Sequence, residues 1–227
     1  MSTILTVFLT LVRHGETEYN VQKISQGQMD VPLNDNGKYQ ATLAGKALKD
    51  TDFDIIYSSD LSRAFETATE IVKQNTLLKQ PFPIKSDNIL REMSNGIFEN
   101  KPSHEHDVAA TEAGFEKPYL RKFRPEGGEN EEDVSLRAQR FLAEMYEQEC
   151  VQQNRACHIL VVSHGLLLRE LIRILLEKEN SDNELKQKWK NILIAGTGPN
   201  TGISKFQLDI NSNGYLVSAK CLSFLSD

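Results

Sequence analysis

The sequence predicts an α/β fold of three layers, in which helices cover both faces of a mostly parallel central sheet. Two observations lead to this prediction. Short β-rich apolar runs alternate along the chain with amphipathic helical patterns, which is typical of parallel strands joined by helices. The run HILVVSH at residues 158–164 is apolar along its centre, as expected of a strand buried on both faces. The last two β-rich runs lie close together, so a C-terminal hairpin is expected to complete the sheet.

Strands are predicted where β-rich residues cluster between turn residues. They cover residues 4–12, 53–59, 81–87, 158–164, 202–208 and 214–225. The last two are joined through Asn211-Ser212-Asn213-Gly214, and an Asn-Gly pair tolerates the positive φ angles that a tight hairpin needs.

Helices are predicted where apolar residues recur every three or four positions. They cover residues 37–49, 61–74, 131–153 and 166–176. The third is long, charged and amphipathic, and its apolar positions are Val134, Leu136, Ala138, Phe141, Leu142 and Met145. The fourth is apolar on nearly every side, so it is expected to be buried.

No linker or repeat divides the chain, so residues 1–227 are predicted to form a single domain. Residues 100–130 differ from the rest, because they are rich in Pro and Gly and show little periodicity apart from a short helix near Val108. A long excursion of this kind is either a lid or substrate loop, or a surface insertion without a role.

Composition and charge exclude several classes of protein. The chain has 26 Lys and Arg against 32 Asp and Glu, a net charge of −6, and so lacks the basic surface of a nucleic-acid-binding protein. A small anionic substrate in a local basic pocket stays possible. The apolar run 4–12 is too short to span a membrane and is expected to be a strand rather than a signal peptide. Cys150, Cys157 and Cys221 form no CxxC pair, which indicates reduced thiols and a cytoplasmic protein.

Histidine, arginine and glutamate side chains follow the ends of the predicted strands. The first strand leads directly into Arg13-His14-Gly15-Glu16-Thr17, and the fourth ends in Ser163-His164-Gly165 before a helix. Arg63 begins the helix after the second strand, and Glu92 follows the third. Ligands bind beyond the carboxyl ends of parallel strands, so these side chains are expected to meet in one crevice. Two arginines and a second histidine suit a tetrahedral dianion, because guanidinium groups bind phosphate oxygens in a bidentate manner.

These segments together resemble the histidine phosphatase superfamily, which has the phosphoglycerate-mutase-like fold. The segments RHGET, SSDLSRAFETA, LREM followed by a glycine, and VVSHG occur in the family's order, and the resemblance spans residues 9–204. Within the superfamily the chain looks most like the TIGAR-like fructose-2,6-bisphosphatase branch, through SQGQMDVPLNDNGKYQA, PEGGE and GPNTGIS. It departs from the family pattern at Asn100, where Gly usually follows the glutamate.

The resemblance implies a role for each residue at the strand ends. His14 is the implied nucleophile that becomes phosphohistidine, and Arg13 and Arg63 bind the transferring phosphoryl group. His164 contacts the same group and stabilises the transition state, while Glu92 protonates the leaving oxygen and later activates water. Cationic side chains can neutralise the phosphoryl charge, so neither a metal nor another cofactor is expected.

Further residues are expected to bind the substrate. The resemblance puts Asn20 and Gly27 in the phosphate pocket with Gln26 beside them, Gly165 after the second histidine, and Asn200 at the rim.

The excursion carries a basic cluster in a chain that is acidic overall. The cluster of Lys117, Arg121, Lys122 and Arg124 is either a solvated face or a docking site for a second phosphate or carboxylate of the substrate. The candidate substrate-binding residues within it are Arg121, Lys122 and Arg124. His104 and His106 lie in the same excursion, but two histidines two residues apart do not share a helix face. A solvated loop is therefore the expectation for them rather than a metal site.

The resemblance thus implies a metal-independent phosphatase, a phosphoric monoester hydrolase, that acts on a small phosphorylated metabolite. Fructose-2,6-bisphosphate is the first substrate expected, and other phosphomonoesters, including bisphosphoglycerates, come next. Two alternatives stay open: a phosphoglycerate mutase, and a weakly catalytic member of the family that binds a partner protein. The mutase is disfavoured, because mutases usually carry a tyrosine shortly after the acid whereas Met93-Ser94-Asn95-Gly96 follows here.

Overall fold

The computed structural model describes residues 4–151, 155–179 and 198–226. Within these ranges a single six-stranded sheet is ordered β3-β2-β4-β1-β5-β6. The strands are β1 (Ile4–Arg13), β2 (Ile55–Ser59), β3 (Ile84–Asp87), β4 (Cys157–Ser163), β5 (Ile203–Asn211) and β6 (Leu216–Ser226). The α-helices are α1 (Glu18–Gln22), α2 (Asp35–Ala47), α3 (Ser62–Gln74), α4 (Ser103–Glu112), α5 (Glu131–Met145) and α6 (Gly165–Glu177).

The sheet is mostly parallel, as the sequence predicts. Strands β1, β2, β3 and β4 pair in parallel, whereas β5 and β6 pair antiparallel. The turn between β5 and β6 is the expected hairpin: Gly214 has a φ of 77°, and the Asn211 carbonyl accepts its N–H at 2.9 Å.

Helices cover both faces of the sheet, which confirms the three-layer prediction. On one face, α5 and α6 bury side chains such as Phe141 and Leu171 against β1, β4 and β5. On the other face, α2 and α3 bury side chains such as Ala44 and Ile71 against β2 and β4. Both faces of the central strands are therefore removed from water, which accounts for their continuous apolar sequences.

The third predicted helix is shorter than expected. The α-helix ends at Met145 and a wider, π-helical segment follows at Tyr146–Val151, while residues 152–154 lie outside the described ranges. The wider turn carries Glu149 inward, where it accepts a hydrogen bond of 2.6 Å from the Tyr57 hydroxyl. The expectation that Leu136 lies on the apolar face is wrong, because its side chain is 59% exposed. Leu136 is two residues away from both Val134 and Ala138, and residues two apart lie on nearly opposite faces of a helix.

The expectation of a solvated loop at His104 and His106 is also wrong. Both residues lie in α4, and His106 is only 2% exposed. Its ring packs edge-on against Phe98 and Phe123, with centroids 5.7 and 5.6 Å away. Burial lowers the pKa of His106. The excursion thus packs together with Phe98 around a small aromatic core, which a search for helical periodicity does not reveal.

The predicted cytoplasmic location depends on the state of the cysteines and on whether a helix could span a membrane. Cys157 is buried and Cys221 is half-buried, and the side chain of Cys150 lies outside the described part. Among the helices that the structure describes, none is long and apolar enough to cross a membrane. The cytoplasmic location stays a prediction.

Candidate functional site

Two histidines meet at the carboxyl edge of the sheet because the strands that precede them are neighbours. Strands β1 and β4 are paired so that Arg13 lies opposite Ser163, and His14 and His164 follow these two residues. The backbone N–H of His14 donates to the Ser163 carbonyl at 2.9 Å. As a result the two imidazole rings lie with their centroids 5.1 Å apart.

The His14 ring is buried and its tautomer is set by the backbone. Its Nδ1 lies 2.6 Å from the Gly15 carbonyl oxygen. A carbonyl oxygen only accepts hydrogen bonds, so Nδ1 carries the proton and Nε2 keeps its lone pair. Burial, followed by the positive charges of Arg63 and Arg13, lowers the pKa of His14 well below its usual value of 6.5. The ring is therefore neutral at physiological pH.

Glycine at position 15 is required by close packing. A Cβ atom there would lie 2.5 Å from the Gly37 carbonyl oxygen, well inside van der Waals contact. The Gly15 N–H donates to the Thr67 hydroxyl at 3.0 Å, which fixes the turn that orients His14. The glycine of the RHGET segment thus lets the first strand pass close to α2.

The second histidine is held by a serine at the end of β2. The Nε2 atom of His164 lies 2.8 Å from Ser59 Oγ, and that oxygen accepts the Leu61 N–H at 3.3 Å. The serine proton can donate to Nε2, and in that arrangement the imidazole proton is on Nδ1. This Nδ1 is buried and has no hydrogen-bond partner among the described residues. Gly165, the next residue, begins α6.

Arg63 is the largest fully buried side chain of the described ranges, at 1% exposure. It lies in the first turn of α3, and its two terminal nitrogens donate to the Met29 carbonyl at 2.8 Å and the Gly27 carbonyl at 2.9 Å. Its Nε atom is buried without a partner among the described residues. Burial lowers the pKa of Arg63 to about 10, so the guanidinium stays charged at neutral pH.

Arg13, at the end of β1, and Asn200, in the chain that precedes β5, border the histidine pair. The Arg13 guanidinium donates to the Gly198 carbonyl, and burial lowers the pKa of Arg13. The Asn200 side-chain amide donates to the His14 carbonyl at 2.9 Å. Both contacts bring the segment at residues 198–202 to the ends of β1 and β4.

The side chains of Asn20 and Gln26 both accept hydrogen bonds from Thr17, which follows the RHGE residues. The Asn20 Oδ1 atom accepts the Thr17 N–H at 3.1 Å and lies 3.4 Å from the Asn200 amide nitrogen. Gln26 is buried, and its Oε1 accepts the Thr17 hydroxyl at 2.9 Å. Thr17 and Asn20 form the capping box that begins α1 directly after the RHGE residues.

Glu92 reaches the edge of the histidine pair from the loop after β3. Its Oε1 accepts the Met93 N–H at 2.8 Å, and both carboxylate oxygens lie 3.2–3.3 Å from the N–H of Leu166 at the start of α6. Its negative charge opposes the lowering of the pKa of Arg13 and of Arg63 by burial. The carboxyl group therefore lies within electrostatic range of both arginines.

A second carboxylate, Glu99, supports the loops around the site. Its Oε1 accepts from the Gln28 and Asn95 N–H groups at 3.0 and 3.1 Å and from the Ser94 hydroxyl at 3.1 Å. The following residue, Asn100, has a φ of 63°. Asparagine tolerates this left-handed conformation better than other non-glycine residues, so it substitutes for the glycine of the family pattern.

The three candidate residues of the basic cluster lie in three different environments. Arg124 donates to the Asp133 carboxylate of α5 at 2.6 Å. Lys122 lies in a groove between the excursion and the starts of α5 and α6. Arg121 borders a small cavity with Met93, the residue that follows Glu92. Of the three candidates, Arg121 is thus the one that the structure puts beside the Glu92 loop.

Two hydroxyl residues that hold the histidines were missed by sequence reasoning. Ser59 positions His164, and Thr67 accepts the N–H that follows His14. The available signal was polarity in an apolar setting: Ser59 ends a fully buried strand, and Thr67 lies beside Ala64 and Ala68 on the buried face of α3.

The arrangement suits a tetrahedral anion next to Nε2 of a neutral histidine. Buried polar groups in proteins are normally hydrogen-bonded. Arg63 Nε and His164 Nδ1 have no partner among the described residues, which favours a ligand that hydrogen-bonds to them. Within the described ranges, no group of three or more His, Cys, Asp or Glu residues could hold a metal ion.

Comparisons with known proteins give matches over most of the chain. The family model of the histidine phosphatase superfamily (branch 1) matches residues 9–205. The chain is 34% identical over 234 residues to fructose-2,6-bisphosphatase TIGAR B of Danio rerio, with 92% of this chain and 89% of that protein covered. Among solved structures, a native mycobacterial glucosyl-3-phosphoglycerate phosphatase superposes with a TM-score of 0.76 at 26% identity, covering 98% of this chain and all of that one. A phosphoglycerate mutase from Bacillus anthracis gives a TM-score of 0.75 at 25% identity, covering 98% and 93% of the two chains.

Proposed function

The chain belongs to the histidine phosphatase superfamily, and on that premise we propose that it hydrolyses fructose-2,6-bisphosphate through a phosphorylated His14. As a member of this superfamily it is a phosphatase, a hydrolase of phosphoric monoesters. The observation that carries the proposal is a pair of buried nitrogens, Arg63 Nε and His164 Nδ1, that have no partner in the part of the chain that the structure describes. They lie beside a histidine whose Nε2 keeps its lone pair. The support for the sugar bisphosphate is the match over most of the chain to a protein that is named for this activity.

His14 acts as the nucleophile in this proposal. The Nε2 lone pair attacks the phosphorus atom, the Nε2–P bond forms, and the bond from phosphorus to the sugar oxygen breaks. The Gly15 carbonyl keeps its hydrogen bond to Nδ1–H and stabilises the positive charge that the ring gains. The low pKa of His14 ensures that the attacking ring is unprotonated at neutral pH.

Arg13, Arg63 and His164 bind the transferring phosphoryl group. In phosphoryl transfer, negative charge lies on the three equatorial oxygens, and fixed donors stabilise it without reorganisation. Arg63 is held rigidly by two carbonyls, so its Nε and its charge are preorganised. The proposed supporting residues of the phosphate pocket are Asn20, Gln26, Gly27, Gly165 and Asn200.

Glu92 is the proposed proton donor. A sugar alkoxide is a poor leaving group, so the carboxylic acid gives its proton to the departing oxygen. In the second step the carboxylate takes a proton from water, whose oxygen bonds to phosphorus as the Nε2–P bond breaks. Inorganic phosphate leaves, and both His14 and Glu92 return to their starting states.

Phosphate release across a panel of phosphorylated metabolites tests the proposed substrate. We expect the highest kcat/KM for fructose-2,6-bisphosphate, with bisphosphoglycerates and glucosyl-3-phosphoglycerate below it. A higher value for another compound would reject the substrate while leaving the phosphatase mechanism in place. Conversion of 3-phosphoglycerate to its 2-isomer at a comparable rate would support the mutase alternative instead.

Replacement of Glu92 by glutamine is expected to affect substrates according to their leaving groups. General acid catalysis matters most when the departing oxygen is basic, so Glu92→Gln should lower kcat by ~10²-fold or more for a sugar phosphate. It should have a much smaller effect on p-nitrophenyl phosphate, whose phenolate leaves without a proton. The measurement is kcat for both substrates, with Glu99→Gln as the control. Equal losses for both substrates would show that Glu92 is not the proton donor.

The basic cluster is expected to select for a second phosphate. Each charge-assisted hydrogen bond contributes about 1.5–3 kcal/mol, so replacing Arg121, Lys122 and Arg124 by glutamine should lower kcat/KM for the bisphosphate by roughly 10²-fold. An aryl phosphate should be nearly unaffected, because it does not reach the cluster. The single variant Arg121→Gln should account for most of the loss, because Arg121 lies nearest the Glu92 loop.

A matched control for the cluster is the removal of three exposed lysines from the region of α2 and α3. Lys46, Lys49 and Lys73 carry the same total charge and are exposed to solvent. This control variant should keep its preference for the bisphosphate. Parallel loss of both activities in the cluster variant would show that Arg121, Lys122 and Arg124 are structural.

Exhaustive chelation is expected to leave the activity unchanged. In the proposed mechanism, cationic side chains do the work that a divalent metal does in other phosphatases. The measurement is phosphate release before and after dialysis against a chelator, with activity assayed again after adding Zn²⁺, Mg²⁺ or Mn²⁺. A loss that one of these metals restores would contradict the mechanism.

A further inference from the structure

Arg137 lies on the core-facing side of α5 and directs its guanidinium at the Glu92 loop. It donates to the carbonyls of Ile89 at 2.8 Å, Arg91 at 3.0 Å and Glu92 at 3.3 Å. It also donates to both carboxylate oxygens of Glu129, at 2.7 and 2.9 Å. The guanidinium thus holds three carbonyls of one short loop together with the carboxylate that neutralises its charge.

Glu129 also binds the loop directly, through hydrogen bonds to the backbone of Ser94. Its Oε2 accepts the Ser94 N–H at 2.9 Å, and its own N–H donates to the Ser94 carbonyl at 2.9 Å. The Gln28 side-chain amide joins the arrangement, with its nitrogen 3.2 Å from the Glu92 carbonyl and 3.4 Å from Glu129 Oε2. The backbone is therefore fixed on both sides of Glu92.

A cation at this position is unusual for the helix that carries it. Arg137 lies between Val134 and Phe141 on the face of α5 that otherwise packs into the apolar core. An ion pair at such a position is often no more stable than apolar side chains of similar volume at both positions, whereas the removal of one partner leaves the other charge unpaired. Stability of the helix alone does not call for an arginine at this position.

We propose that Arg137, paired with Glu129, is a positioning residue that holds the Glu92 carboxyl group at the distance from which it protonates the leaving oxygen. The inference rests on the proposed function, in which Glu92 is the proton donor. A displacement of about 1 Å in a catalytic group lowers rates by ~10²-fold, so a loop that carries the acid needs such restraint. Arg137 acts through Glu92 and does not touch the substrate.

The test compares Arg137→Met and Arg137→Lys with Arg140→Gln as the matched control. Arg140 lies three residues further along the same helix, and its side chain is 72% exposed and pairs with Glu144. For a sugar phosphate, Arg137→Met should lower kcat by roughly 10- to 100-fold with little change in KM. For p-nitrophenyl phosphate, kcat should change less than threefold. Arg137→Lys should fall between the wild type and Arg137→Met, because lysine keeps the charge without the planar fork.

The double variant Glu92→Gln/Arg137→Met separates positioning from structure. If Arg137 acts through the acid, the double variant should be no slower on the sugar phosphate than Glu92→Gln alone. Additive losses, or equal losses on both substrates, would overturn the proposal. Glu129→Gln leaves residue 137 unchanged and removes only the charge that pairs with it. It should show the same dependence on the leaving group, so it provides the test should Arg137→Met fail to fold.

The outcomes also distinguish this inference from the proposed function. Retention of activity by a His14→Ala variant, or an equal effect of Glu92→Gln on both substrates, would refute the mechanism itself. A normal dependence on the leaving group in Glu92→Gln, together with none in Arg137→Met and Glu129→Gln, would refute only the role of Arg137.

Discussion

His14→Ala is expected to lower kcat by at least ~10⁴-fold for every phosphate monoester, because the covalent route needs the Nε2 lone pair. The fold should survive the substitution, since His14 lies beyond the end of β1 and its side chain makes a single hydrogen bond to the adjacent carbonyl. Rapid quench of the wild type during turnover should trap phosphate on His14. The trapped phosphate should be labile in acid and stable in base, as a phosphoramidate is.

The neutral state of His14 is part of the same expectation. Its lowered pKa means that the folded protein resists protonation of this ring as the pH falls through 6.5. Imidazole ¹⁵N NMR at about pH 6 should therefore report a neutral ring with the proton on Nδ1. Folding stability contributed by this group should be complete above the unfolded pKa and should decline as the pH falls below it. Substantial turnover by His14→Ala would show that the whole mechanism is wrong.

Arg63→Lys is the second large effect expected. A planar guanidinium that bridges two carbonyls and still presents Nε cannot be replaced by a single ammonium, so kcat/KM should fall by ~10³-fold. Binding of inorganic vanadate or phosphate should weaken in the same variant, because the anion loses one of its fixed donors. Kinetics and anion titration of the purified protein provide both measurements.

The matched control for Arg63 is Arg155→Lys. Arg155 is an exposed arginine that donates to Asp54, whose own N–H bonds to residue 158 near the beginning of β4, at the edge of the sheet opposite the histidines. It should have wild-type kinetics. Thermal unfolding of both variants shows whether the loss in Arg63→Lys comes from catalysis or from folding. A variant that unfolds at the wild-type temperature and keeps its activity would remove Arg63 from the proposed anion site.

The site residues could be predicted where each followed directly from a strand end. A buried strand has to be followed by residues at the edge of the sheet, so the positions of His14 and His164 follow from where the apolar runs stop. The pairing of β1 with β4 then brings the two rings to 5.1 Å, although the residues are 150 positions apart in the chain. The sequence pattern predicted that both histidines lie at the carboxyl edge of the sheet. Neither apolar run, however, predicted that β1 and β4 are neighbours in the strand order.

Supporting residues were harder to predict because their roles depend on contacts across the chain. Ser59 and Thr67 are ordinary polar residues until β2 and α3 bring them to the two histidines. In the sequence, Arg137 is one of many charged residues of α5. The local indication that its side chain is partly buried is its position on the helix face that carries Val134 and Phe141.

The sequence by itself determined the alternation of strands and helices, the mostly parallel sheet with its terminal hairpin, and the set of residues at the edge where a ligand binds. These follow from local periodicity, from turn residues and from the length of apolar runs, which act over a few positions. The tertiary structure alone decided which tautomer His14 adopts, which nitrogens of Arg63 and His164 have no partner among the residues described, and which groups hold Glu92. It also buried His106 in the excursion and divided the basic cluster among three surroundings. These outcomes depend on hydrogen bonds and burial between residues far apart in the chain, and such interactions are defined only once the layers have packed.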